Sequence, residues 1–371
     1  MGYYPQPSAP IPRNPRFGYC IKNPPHWDTL SLVSKVTRLT RVARIVFCII
    51  AAWTLCACSK APLYQQQSYV FGTLVEISIY GAPEAQARAA SAAVLARFDQ
   101  LHRKLHAWQP SVLTQVNSAF SAGKKTAIDA ELAALITDAT AISVQSNHVF
   151  NPAIGGLIAL WGFQSDTPRT SVPDAASITK WRDAAPRMSA IHIANDEAWS
   201  DNPAVQLDLG GYAKGYALDE AARILKAHDI RNALVNIGGN LIALGQHGDK
   251  PWRIGIQHPR QAGMIATLEL HDGEALGTSG DYQRFFEVGG KRYSHLIDPR
   301  TGYPADGMQS VTVLVSGAHA GTRSDALSKP LFIGGAAQLA PNAARMGITG
   351  YLAVDAAGVK HISPTLAARL R

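Results

Sequence analysis

Thirteen residues, Leu207-Asp208-Leu209-Gly210-Gly211-Tyr212-Ala213-Lys214-Gly215-Tyr216-Ala217-Leu218-Asp219, place two carboxylates, one lysine and three glycines at a loop-to-helix junction. Glycine lets a backbone come close to a phosphate, and a helix N-terminus offers N–H donors and the positive end of its dipole. Lys214 adds a point charge. The chemistry points to an anionic ligand of the nucleotide kind. Taken alone the motif is weak, because Gly-rich turns before helices are common. Asp208 and Asp219 suit helix capping equally well.

The elements that must position these groups follow from periodicity. Alternation over Tyr69–Tyr80 predicts a first strand, with Val75, Ile77 and Ile79 on one face. Apolar stripes predict helices over 83–105, 130–147, 173–184, 213–228 and about 318–334. Strand-like runs are Ala233–Ile237, Trp252–Gln257, Ile265–Leu270, Tyr293–Ile297, Val311–Ser316, Gly350–Val354 and Val359–Ile362. Strands and helices mix without regular βαβ alternation, so the fold class read here is α+β. There is no internal repeat and no Gly-rich dinucleotide fingerprint after a strand.

The 371 residues carry a formal charge of +8 and 47% hydrophobic residues, enough for a full core. Residues 1–57 read as a leader. Lys35, Arg38, Arg41 and Arg44 precede the apolar run Ile45–Leu55, too short to span a membrane and suited to a signal peptide. Leu55-Cys56-Ala57-Cys58 resembles a bacterial lipoprotein signal with Cys58 as the lipidated residue; an ordinary membrane anchor with a chance cysteine fits the same residues. The leader holds seven Lys/Arg against one Asp, so the body is close to charge balance and the positive total does not argue for nucleic-acid binding. Cys20, Cys48, Cys56 and Cys58 are the only cysteines, which leaves the body no disulfide and no cysteine metal site. Residues 58–67 read as a tether and 68–365 as the folded domain.

Further motifs follow in order along the body. They are Phe71-Gly72-Thr73 within the first strand, Ser111–Asn117 after a helix, Phe150–Leu157 running on to Leu160-Trp161-Gly162-Phe163, and the Asp208–Asp219 stretch. Then come Val235–Asn240, Pro251–Ile256, Thr278-Ser279-Gly280-Asp281-Tyr282, Tyr293–Gly302 and Ser324-Asp325-Ala326-Leu327-Ser328-Lys329. The ordered set resembles the ApbE family of bacterial FAD:protein FMN transferases over roughly residues 68–360. The resemblance implies an ApbE-like fold of mixed, mainly antiparallel sheets with flanking helices. It implies transfer of FMN from FAD to a threonine or serine of an electron-transfer protein, release of AMP, and Mg²⁺ as the usual cofactor. It also implies an envelope location on the periplasmic side.

The resemblance assigns catalysis to His295, Asp325 and Lys214, and metal binding to Gly211 and Asp325. It assigns FAD contacts to Phe71, Gly72, Thr73, Asn117, Trp161, Asp208, Lys214, Gly238, Gly239, Thr278, Ser279, Gly280, Tyr282 and His295. The residue chemistry agrees. Lys214 and the backbone N–H groups near it face phosphates, and His295 moves a proton or donates to a phosphate near neutral pH. Thr278 and Ser279, at a Gly-containing turn, supply donors, and Trp161 and Tyr282 offer flat apolar contact. Each has a plainer role beside it: a satisfied strand histidine, a core tryptophan, a tight turn at Gly238-Gly239, a surface tyrosine.

The chain departs from the family pattern at Phe71 for methionine, Asn151 for aspartate and Ala153 for threonine. Asn151 takes a negative charge away near the proposed site. Above all, Lys329 stands where a metal-ligating threonine is usual. An ammonium has no lone pair for Mg²⁺. Positions four apart on a helix share a face, so Lys329 falls beside Asp325. That leaves two competing readings of the same site: a non-catalytic FAD-binding lipoprotein, and a pyrophosphatase that splits FAD into FMN and AMP.

Overall fold

The computed structural model describes residues 61–371 except 166 and 168; the leader and Cys58 lie outside them. The strands are β1 (Leu63–Val70), β2 (Thr73–Tyr80), β3 (Thr126–Ala127), β4 (Ile191–Ala194), β5 (Glu197–Ser200), β6 (Ala233–Ile237), β7 (Asn240–Leu244) and β8 (Trp252–Gln257). They continue as β9 (Met264–Leu270), β10 (Ala275–Gly280), β11 (Phe285–Val288), β12 (Lys291–Ser294), β13 (Met308–Val315), β14 (Gly350–Asp355) and β15 (Lys360–Ile362). The helices are α1 (Glu84–Leu105), α2 (Val112–Ser121), α3 (Ala130–Gln145), α4 (Gly155–Leu160), α5 (Ala175–Ala184), α6 (Ala213–Ala227), α7 (Ala320–Arg345) and α8 (Pro364–Ala367).

One eight-stranded sheet in the order β1-β2-β6-β7-β10-β13-β14-β15 organises the fold, and every pairing in it is antiparallel. This bears out the α+β, mainly antiparallel expectation. Val75, Ile77, Val235, Ile237, Val311 and Val313 pack on one face against α1, α6 and α7 through Phe98, Leu218 and Leu327. Leu241, Ala243, Leu276, Leu314 and Leu352 pack on the other against the β8–β9 ribbon, through Trp252, Ile254 and Leu268. Strands covered on both faces, such as β7, are apolar almost throughout, as burial of both faces requires. A third cluster joins α4, α5 and the β11–β12 ribbon around Trp161.

Several expectations are corrected here. The tether ends early: Leu63–Val70 is a strand that pairs along its length with β2. Its inward positions include Gln66 and Ser68, tolerable only because β1 is an edge strand, and that polarity hid the alternation. The expected strand Tyr69–Tyr80 is the end of a hairpin, broken at Phe71-Gly72, whose φ values of 57° and 70° make a two-residue left-handed turn. Thr278, Ser279 and Gly280 lie in β10, not at a turn. Gly277 is in that strand because α7 crosses it closely: a Cβ there would sit 2.7 Å from the Asp325 backbone nitrogen. The β12 strand stops at Ser294, one residue before His295. The fold runs past 365 to the chain end, where the Arg371 amide donates to the Thr267 carbonyl at 2.9 Å and Leu366 is buried.

Candidate active site

The N-terminus of α6 and the second turn of α7 form the floor of the site. Their backbones nearly touch. A Cβ on Gly215 would lie 2.7 Å from Asp325 Cβ, 2.8 Å from Thr322 Cα and in collision with the Gly321 carbonyl. Only glycine permits that approach. Asp219, one turn further along α6, accepts from the Gly321 and Thr322 amides at 2.8 Å each and from the Thr322 hydroxyl at 2.6 Å. It caps α7, since His319 at that helix's N-cap makes no side-chain cap bond. Tyr212 donates to Asp138 at 2.6 Å and Tyr216 to Glu131 at 3.0 Å, so α6 is held from α3 as well.

Asp325 is fully buried. Its Oδ2 accepts from the Gly215 amide at 2.9 Å. Its Oδ1 is ion-paired with Lys329, whose Nζ also donates to the Asp325 carbonyl at 2.7 Å. The Lys329 stem runs against Gly211: a Cβ on that glycine would sit 3.2 Å from Lys329 Cε. Burial pulls the Lys329 ammonium below its ordinary pKa, Asp325 opposes this, and Lys214 adds to it. Ser328 donates to the Asp325 carbonyl at 2.8 Å and pairs with Ser279 at 2.7 Å, so Ser279 ties β10 to α7.

The donors expected to hold Mg²⁺ were Gly211 and Asp325. They do not fit it: the ammonium of Lys329 stands on Asp325, both carboxylate oxygens are engaged, and the Ser328 hydroxyl is spent. Among the described residues no group of three or more His, Cys, Asp or Glu is placed to hold a metal.

His295 follows β12. Its Nδ1 lies 3.1 Å from the Arg284 carbonyl, which can only accept, so Nδ1 carries the proton and Nε2 keeps its lone pair. Burial drives its pKa down to about 3, helped by the positive charges of Lys214, Lys329 and Arg284, while the bond to the Arg284 carbonyl opposes this. The ring is therefore neutral at pH 7. Arg284 stacks over Trp108 at 4.6 Å and donates to the Ser165 carbonyl at 3.1 Å. Asp208 is half-buried and accepts from the Gly210 amide at 2.9 Å. Burial raises its pKa against the pull of that bond, of Gln164, and of the Arg284 and His106 charges.

Two hairpin tips and the β10–β11 connection form the adjoining wall. Gly238 and Gly239 have φ of 57° and 92° and make the β6–β7 turn. A Cβ on Gly238 would strike Thr73 Oγ1 at 2.5 Å, so the Phe71-Gly72-Thr73 turn lies against it. Tyr282 covers Gly280, where a Cβ would collide with the ring. Thr278 pairs with Thr312 at 3.0 Å and gives its amide to Asn240 Oδ1 at 3.0 Å. Asn240 Nδ2 and Ser294 Oγ are buried without a partner among the described residues. Phe71 packs on Phe98 and His102, at 5.8 and 5.7 Å between ring centroids.

Two assignments change, and Asn151 proves to be committed elsewhere. Trp161 is wholly buried, donates to the Gly302 carbonyl at 2.8 Å and stacks on Tyr293; it is core and has no face for a ligand. Both ends of the Asn117 amide are spent on the Leu207 backbone, at 2.6 and 2.9 Å, so it positions the segment before Asp208 rather than touching a cofactor. Asn151 is likewise occupied, by the Pro186 carbonyl at 2.8 Å and the Ala153 amide at 3.1 Å. Arg284 was missed. Nothing in its local sequence marks it; its place depends on pairing across β11–β12.

The comparisons with known proteins agree with this geometry. The sequence profile of the ApbE family matches residues 71–352. An FAD:protein FMN transferase of Rhodobacter capsulatus is 43% identical over 84% of this chain, which spans 59% of that relative's length. One from Klebsiella pneumoniae is 33% identical over 66% of this chain and 71% of its own. The crystal structure of the ApbE protein of Thermotoga maritima superposes with a TM-score of 0.76 at 31% identity, covering 84% of this chain and all of that one. That of the flavinyl transferase ApbE of Pseudomonas stutzeri, apo form, gives 0.73 at 29% identity, over 84% of this chain and 98% of that one. Sequence profile, relatives and fold agree, and the chain belongs to the ApbE family.

Proposed function

We propose that this chain transfers FMN from FAD to a threonine or serine hydroxyl of a target protein and releases AMP. The observation that carries the reading is a neutral imidazole with an uncommitted Nε2 among Lys214, Lys329 and Arg284. Pyrophosphate cleavage needs cations for the phosphate oxygens and a base for the attacking hydroxyl. The hydroxyl oxygen bonds to the FMN phosphorus. The bridging oxygen–phosphorus bond breaks and its electron pair leaves on AMP. His295 Nε2 takes the hydroxyl proton. No step is routed through Mg²⁺, whose donor set is displaced. The target is an electron-transfer subunit, and lipidation of Cys58 anchors the enzyme on the periplasmic side of a membrane; the basic run, apolar run and Cys58 support this.

The test mixes the purified protein with FAD and an acceptor domain bearing a candidate threonine. The expected result is a fluorescent acceptor whose mass rises by FMN less water, with AMP released in equal amount. His295→Gln keeps FAD binding and loses most of the transfer. Free FMN with an unmodified acceptor would make the protein a pyrophosphatase instead.

A further inference from the structure

We infer that Lys329 is a built-in counter-cation standing in for a divalent metal, so that the protein binds FAD and transfers FMN without one. The inference rests on the transferase reading above and extends it to the ion requirement of the same site.

The geometry leaves the metal position to the ammonium. Lys329 Nζ contacts the carbonyl and the Oδ1 of Asp325, while Oδ2 is held by the Gly215 amide at 2.9 Å. Every oxygen of Asp325 thus already has a donor, two of the three from the one ammonium. The lysine stem fills the space between Gly211 and Asp325, the pair between which a cation would bridge. The neighbouring hydroxyl, Ser328, is bound to the Asp325 carbonyl and to Ser279. A divalent ion entering here must expel a buried ammonium or sit against it, and like charges at that range repel strongly. Lys329 is only 9% exposed.

The charge balance agrees. Lys329, Lys214 and Arg284 all act electrostatically on His295. Two carboxylates, Asp325 paired with Lys329 and Asp208 acted on by Arg284, offset these three cations in part, and the diphosphate of FAD is a complementary anion. An ammonium is a compact point charge with three donors; Asp325 takes two of them, which leaves one for a phosphate oxygen. It forms no directional coordination shell, so it neutralises the diphosphate without fixing its geometry. Positioning then falls to the α6 N-terminus and Lys214.

The experiment titrates Mn²⁺ alone into the purified protein, followed by electron paramagnetic resonance, and separately measures FAD affinity and FMN transfer in EDTA and in Mg²⁺. The wild type is expected to bind no Mn²⁺ at millimolar concentration and to hold FAD equally in both media. Lys329→Thr is expected to gain one Mn²⁺ site. Its FAD affinity should fall about tenfold or more in EDTA, and return with Mg²⁺. One tight Mn²⁺ site in the wild type, with FAD binding lost in EDTA, overturns the inference; this measurement needs no variant. Lys329→Met, of similar length and uncharged, serves if the threonine variant does not fold, and should lose FAD affinity in both media. FAD binding that ignores chelator, with no FMN transfer in either medium, leaves the counter-cation supported and overturns the transferase reading instead.

Discussion

Acidification tests the environment of His295 quantitatively. In the fold its pKa is about 3, against an ordinary value of 6.5, because burial and three nearby cations disfavour the charged ring. Between those values the unfolded chain binds a proton that the folded chain refuses. The group therefore withdraws stability as pH falls through that window, and contributes nothing to the slope above pH 6.5. At pH 4.5 the two units below the ordinary value correspond to about 2–3 kcal/mol. Other groups titrate too, so the measurement is a difference. Urea unfolding of the wild type and of His295→Gln is followed at pH 7 and pH 4.5, and the wild type should lose about 2–3 kcal/mol more than the variant over that interval. Equal losses in the two proteins would refute the claim that the fold holds this imidazole neutral. The same claim requires that the transfer rate show no acid limb near pH 6.5.

Three further outcomes follow from the packing. Gly215→Ala puts a methyl into the α6–α7 contact and should cost about 1–3 kcal/mol with weakened FAD binding. Gly307→Ala, where the nearest atom is Gly335 Cα at 3.6 Å, should be nearly neutral in thermal melts. Trp161→Phe should destabilise by about 1–3 kcal/mol through lost contacts and the lost bond to Gly302, yet leave FAD affinity within about twofold. A tenfold loss of affinity in folded protein would return that ring to the site.

How much of the site was legible depended on whether its determinants were local. Helices α1, α3 and α6 were readable because their buried stripes recur at helical spacing within one segment. The hairpin tip at Phe71-Gly72 was not, since a bulky residue in a left-handed turn carries none of the usual turn signals. Thr278-Ser279-Gly280 read as a turn, though the segment is a strand in which Gly277 makes room for α7 and Gly280 for Tyr282.

The sequence by itself determined the family, the α+β class and the chemical inventory: glycines at the α6 entrance, Lys214, His295, Asp325 and the lysine at 329. It determined these because residue type and short-range period are written in the chain directly. Tertiary structure decided what each group is free to do. Asn117 is spent on Leu207, ninety residues away, and Trp161 on the Gly302 carbonyl. Asp219 serves a helix that begins a hundred residues later. The Arg284 carbonyl selects the tautomer of His295, and Lys329 occupies Asp325. A donor or acceptor bonded to one partner is withdrawn from another, and those partners meet only when distant segments pack.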